Sequence, residues 1–160
     1  MAWKDTFGSE WERVVGAPML AGIAVTAAEP GGLLGALRES FAVAGAMRVA
    51  KAGGDSLVTE VAAAYETSEG RDMARDVLKA QARGKKPAEI VDAAVAELAA
   101  VSKLVADKAP DAAPGFRAWL NAVAHKVAEA GTEGGFLGFG GEKVSAAEKA
   151  TLHRLATALA

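Results

Sequence analysis

The chain contains no cysteine, which excludes disulfide bonds, thiolate metal sites and thiol catalysis. A reducing compartment suits this composition, so we expect a cytoplasmic location. The first residues, with Lys4 beside Asp5, lack the basic-then-apolar order of a secretion signal. Aromatic residues make up only 6% of the chain, and its valines are scattered among alanines instead of alternating with polar residues. This scarcity of strand-forming patterns disfavours β-structure.

Charge of one sign is also lacking, because 18 Lys and Arg face 20 Asp and Glu. A formal net charge of −2 gives no overall attraction to nucleic acid or to an anionic membrane, so nucleic acid is not an expected partner. The longest uncharged run covers residues 14–28, short of the roughly 20 residues that cross a bilayer. We expect the segment from Val14 to Leu37 to be a buried core hairpin. Contact with a membrane interface is the less favoured alternative.

What the chain has in abundance is alanine, which supplies about half of its hydrophobic residues and has the highest helix propensity. Helix-breaking residues and caps predict about seven helical segments in one all-α domain, residues 1–160. A short first helix is predicted over residues 9–15, and Pro18 is expected to open a second one. The segment 87–109 has the clearest apolar stripe and is the predicted central helix.

A glycine-rich loop precedes the last predicted helix. It consists of Gly134, Gly135, Phe136, Leu137, Gly138, Phe139, Gly140 and Gly141. Phosphate-binding loops usually follow a strand, whereas this one follows a helix and carries three bulky apolar side chains. A calcium loop ending at Glu148 is excluded, because apolar residues and glycine would take the ligand positions. We expect the loop to fold onto the bundle as a hydrophobic plug. If exposed, it would instead contact a ligand, a protein partner or a second copy.

A basic ridge is predicted on the fifth helix, where Arg71, Arg75, Lys79 and Arg83 recur at every fourth residue. Lys85 and Lys86 extend it. The acids Asp72 and Asp76 run beside the ridge and should partly neutralise it through surface pairs. No aromatic residue interleaves with the cations to stack on bases. A solvated helix face is therefore the expectation, and a site for phosphates or an acidic partner is the alternative.

His125, Glu129 and Glu133 are the candidate metal ligands. His125 lies one helical turn before Glu129 and could share a face with it, whereas Glu133 is expected on or beyond the following loop. A metal site needs three or four ligands, so we expect His125 to be an ordinary polar surface residue, and no cofactor is expected. No serine lies in a G-x-S-x-G motif, and no paired catalytic histidine and acid is evident. A non-enzymatic role is expected, although an enzyme with an unfamiliar site stays possible.

The C-terminal third, from Phe116 through the glycine-rich loop to Val144-Ser145-Ala146-Ala147-Glu148, resembles a group of small bacterial all-helical proteins. It is also similar to tellurite-resistance TerB-type domains, in which a helix, a glycine-containing turn, Val-Ser-x-x-Glu and a leucine-bearing helix recur. That resemblance implies an all-α fold and a metal- or stress-related role. Gly140 and Gly141 stand where the family tends to have acids, so the family's metal site does not carry over, and only Glu148 would remain.

Two functional hypotheses follow from the residues and the resemblance together. The leading one is a cytoplasmic stress-associated or protein-interaction role, with a protein partner or self-association into a homo-oligomer. The alternative is a metal- or anion-binding module of TerB-like type.

Overall fold

The computed structural model describes residues 2–28, 56–133 and 146–160. Within these ranges the chain forms seven α-helices and a short 3₁₀ turn, with no β-strand. They are α1 (Trp3–Phe7), the turn (Gly8–Glu10), α2 (Trp11–Ala28), α3 (Ser56–Ala64), α4 (Ser68–Ala82), α5 (Pro87–Lys108), α6 (Ala113–Glu133) and α7 (Ala146–Ala158). The expected all-α bundle is confirmed for the described part of the chain.

Helix α2 is the central element, because α3, α4, α5, α6 and α7 all pack against it. Its apolar side chains point in every direction, and Val14, Leu20 and Val25 are each at most 1% exposed. A helix that is apolar all round can only be stable when it is enclosed. The prediction that residues 87–109 form the centre is therefore wrong. Their stripe instead covers one side of α2.

The predicted break between residues 15 and 18 is also wrong, because α2 runs through Pro18 without ending. Proline has no N–H, so the carbonyl of Val14 loses its usual helical donor. One residue further on, the hydroxyl of Tyr65, in the turn after α3, donates to the carbonyl of Val15 at 2.5 Å. Packing on all sides and this hydrogen bond stabilise a helix that local sequence alone would interrupt.

The side chain of Tyr65 is half-buried overall, with its hydroxyl end directed into α2. Burial raises the pKa of Tyr65 well above its ordinary value, while a backbone hydrogen bond at Met19 acts in the opposite direction. The hydroxyl therefore stays neutral and remains a donor over the whole physiological range of pH.

The boundaries of α4 and α5 follow from local capping residues. The hydroxyl of Thr67 caps α4 by accepting a hydrogen bond from the backbone N–H of Gly70 at 3.0 Å. Gly84 ends the following turn with a φ of +69°, a conformation that glycine adopts without strain. Pro87 opens α5, and the carboxylate of Glu89 accepts from the backbone N–H of Lys86 at 3.1 Å.

Apolar residues at helical spacing predict a further helix over residues 33–50, which lies outside the described residues, as does the glycine-rich loop. The pattern Ser145-Ala146-Ala147-Glu148 predicts a capping box at the start of the last helix. Ser145 is also outside the described residues, and Glu148 is only 3% exposed. No helix in the described ranges is both long enough and apolar enough to cross a membrane. Up to Ala28, the predicted core hairpin is a single enclosed helix, and residues 29–37 are not described.

Candidate functional site

The basic ridge lies on the outer face of α4. The opposite face of this helix places Gly70, Ala74 and Val77 against the core, and all three are buried. The four ridge residues, Arg71, Arg75, Lys79 and Arg83, are all exposed. Whether this exposed ridge is only a solvated face or a site for phosphates or an acidic partner stays a prediction.

The first half of the ridge is engaged within the molecule. Arg71 donates from Nη1 to the backbone carbonyl of Tyr65 at 3.0 Å. Arg75 pairs with Asp72 at 3.2 Å, with both side chains more than half exposed. The pair of Arg75 with Asp72 is the kind of surface pairing that the interleaved acids predict.

In the part of the chain that the structure describes, the second half of the ridge has no such contacts with acidic side chains. Lys79, Arg83, Lys85 and Lys86, here called the basic end of α4, are exposed and form no ion pair within the described residues. The nearest acid that follows them in sequence, Glu89, uses its carboxylate on the Lys86 backbone. Cations at a helix C-terminus are favoured by the helix dipole, which suits Lys79 and Arg83, whereas Lys85 and Lys86 stand directly before α5.

A surface depression of about 470 Å³ adjoins the basic end. The described residues on its border are Asp76, Lys79, Ala80, Ala82 and Arg83. Because the two alanines are short, the long cationic side chains stand above them.

The predicted metal ligands are not brought into a cluster by the described residues. His125 and Glu129 are exposed on α6, whereas the side chain of Glu133 lies outside the described set. Across residues 2–28, 56–133 and 146–160, no group of three or more His, Asp or Glu is placed to hold a metal ion. The metal site stays a prediction.

The glycine-rich loop from Gly134 to Gly141 lies outside the described residues, so the choice between plug and interface stays a prediction. Glu148, which follows it, is buried where α7 begins, and it has an interaction partner.

The part of the chain that the structure describes contains no hydroxyl group activated as a nucleophile. Thr26, Thr67, Thr151 and Thr157 direct their hydroxyls to backbone carbonyls of nearby turns. Ser102 is buried and accepts a hydrogen bond from Nε of Arg117 at 2.7 Å. No described hydroxyl is hydrogen-bonded to the imidazole ring of His125 or His153, so none is activated in the way that a nucleophile requires.

A second charged cluster was missed by the sequence analysis. Arg13 of α2 meets the carboxylate of Glu97 at 2.6 Å, and Gln81 donates to the same carboxylate at 3.3 Å. Glu10 bridges Arg13 and Lys108 at 3.3 and 3.5 Å. The partners are up to 98 positions apart, so no local spacing reveals them. Because all its charges are matched, this cluster ties α2, α4 and α5 together without presenting a free charge.

Comparisons with protein-family models, with curated proteins and with solved structures find no match to this chain. The resemblance to TerB-type domains, and the stress-related role that it implies, stay predictions.

Proposed function

We propose that this chain is a non-enzymatic interaction domain that binds an acidic partner through the basic end of α4. The observation that carries the proposal is the clustering of exposed cations that have no ion pair in the described part of the chain. Arg13, Arg75, Lys108 and Arg154 each meet a carboxylate within 4 Å. By contrast, four exposed cations lie within eight positions and have no carboxylate partner among the described residues: Lys79, Arg83, Lys85 and Lys86.

Such a surface has a physical use. Exposed like charges steer an oppositely charged partner during encounter, and they set specificity more than final affinity. The enclosed core around α2 provides a rigid support, since α4 is anchored to it by Gly70, Ala74 and Val77. The lack of an activated hydroxyl in the described residues supports binding over catalysis.

The test is binding to poly-L-glutamate, measured by biolayer interferometry at low and high salt. We expect binding that weakens as salt screens the charges. The double variant Lys79→Glu with Arg83→Glu should lose it. The matched control is Lys103→Glu with Lys126→Glu, which makes the same charge change at two exposed lysines on α5 and α6 that have no ion pair within the described residues.

The control variant should retain most of the binding. Equal loss in both variants would mean that net charge alone attracts the polymer, and the proposal would be wrong. It would also be wrong if the unaltered chain failed to bind at low salt.

A further inference from the structure

The basic end of α4 has a regular spacing that narrows the kind of acidic partner it fits. Arg75, Lys79 and Arg83 lie one helical turn apart, so their charges repeat about every 6 Å along the axis. A partner helix with a carboxylate at every fourth residue has the same repeat. Charges on two such helices come into register along their whole length of contact.

The shape of the surface at the basic end of α4 also suits packing against a helix. Helices pack when the side-chain ridge of one fits the groove of the other, and ridges formed by every fourth residue are the commonest to do so. Ala80 and Ala82 are short residues that border the depression beside Lys79 and Arg83. A partner with small residues between its acids can therefore approach closely.

Two observations favour a polypeptide over nucleic acid. Asp72 and Asp76 lie on the same exposed part of α4 and would repel a continuous phosphate backbone. A protein partner can place neutral or basic residues opposite them. No aromatic residue lies among the exposed residues of α4 to stack on bases.

We infer that the basic end of α4 docks an acidic helix whose carboxylates recur at every fourth residue, antiparallel or parallel to α4. This inference rests on the proposed function, because it names the structural class of the acidic partner.

The experiment uses the full chain and three fluorescently labelled peptides of identical composition, measured by anisotropy. The first peptide is alanine-rich with glutamate at every fourth position. The second has the same residues and equal helicity, but its glutamates are distributed over all sides of the helix. The third has the same residues in an order for which circular dichroism shows that the peptide is unfolded.

We expect the first peptide to bind at least about fivefold more tightly than the other two, since only its charges are all in register. Lys79→Glu with Arg83→Glu should weaken its binding about ten- to a hundredfold, because two attractions become repulsions. The same variant should gain binding to a peptide with lysine at every fourth position. The Lys103→Glu and Lys126→Glu control should do neither.

Equal binding of all three glutamate peptides would overturn the helical inference and leave the proposed function standing. If no acidic peptide binds, the proposed function fails as well. Tighter binding of a single-stranded oligonucleotide of equal charge, lost in the Lys79→Glu and Arg83→Glu variant, would overturn the choice of a polypeptide partner.

Discussion

Helices α2 and α4 lie against each other, yet they meet their surroundings in opposite ways. From Val14 onward, α2 carries no charge and is enclosed by five other helices. In α4, one narrow face reaches the core and the rest carries charged side chains in solvent. The difference separates two tasks, since burial of α2 provides stability and the exposed face of α4 provides recognition. Substitutions in the two helices should therefore change different measurable quantities.

The largest effect should follow from removing a large side chain of α2. Leu20 is fully buried, and we expect Leu20→Ala to lower the free energy of unfolding by about 3 kcal/mol, through lost burial and the cavity left behind. Leu78, half-buried on α4, is the matched control, and Leu78→Ala should cost about 1 kcal/mol. Urea denaturation measures both. Equal costs would contradict the division between the two helices.

A second substitution probes the contact between the helices. A Cβ added at Gly16 would lie 2.7 Å from Cβ and Cγ1 of Val77. We expect Gly16→Ala to destabilise the chain by about 1–2 kcal/mol, because the clash outweighs the gain in helix propensity. Val77→Ala removes two of the three closest atoms, so the double variant should be more stable than the sum of single effects. Strict additivity in the double-mutant cycle would show that the helices shift apart without cost.

The hydroxyl of Tyr65 connects the turn before α4 to α2. Tyr65→Phe should cost about 1 kcal/mol at neutral pH, since the Val15 carbonyl loses a donor. Because the pKa of Tyr65 is raised in the folded state, the unfolded state loses this proton first as pH rises. The contribution of this tyrosine is complete below about pH 10 and falls above it by about 1.4 kcal/mol per pH unit.

Urea titrations from pH 8 to about pH 11 check this dependence, with the Phe variant as reference for the titrating lysines. Stability of the natural chain should fall more steeply than that of the variant. Parallel slopes would mean that the phenol ionises as easily in the folded chain as in the unfolded one.

The smallest effect on stability is expected at the basic end of α4. Lys79→Glu with Arg83→Glu should change the free energy of unfolding by less than about 1 kcal/mol, because exposed charges interact weakly and only the helix dipole opposes the change. Thermal and urea denaturation check this directly. A large loss of stability would mean that these cations support the fold, and the binding tests would then need Lys79→Gln with Arg83→Gln.

Local signals predicted some of this fold well. Thr67 and Pro87 fix the starts of α4 and α5, because capping and a proline in the first turn depend only on neighbours. Helix α2 could not be predicted in the same way. Pro18 is a strong local break, and what overrides it is packing from helices far along the chain and a hydroxyl 50 residues away.

In the candidate site, too, local sequence predicted some features and tertiary contacts determine the others. The four-residue spacing from Arg71 to Arg83 predicted an exposed ridge, since helical periodicity is local. Which of these cations stay unpaired depends on tertiary contacts, as when Arg71 reaches the carbonyl of Tyr65. Spacing alone therefore placed the ridge but did not show that its second half is the available one.

The central position of α2 also has a consequence for synthesis. The ribosome makes this helix before α4, α5 and α6, which pack most extensively against it. At about 5–20 residues per second, its apolar surface stays without those partners for several seconds. A nascent chain in this condition invites aggregation or capture by chaperones. Slow translation or low temperature during expression should therefore affect the yield of this protein more than the final stability of its fold would suggest.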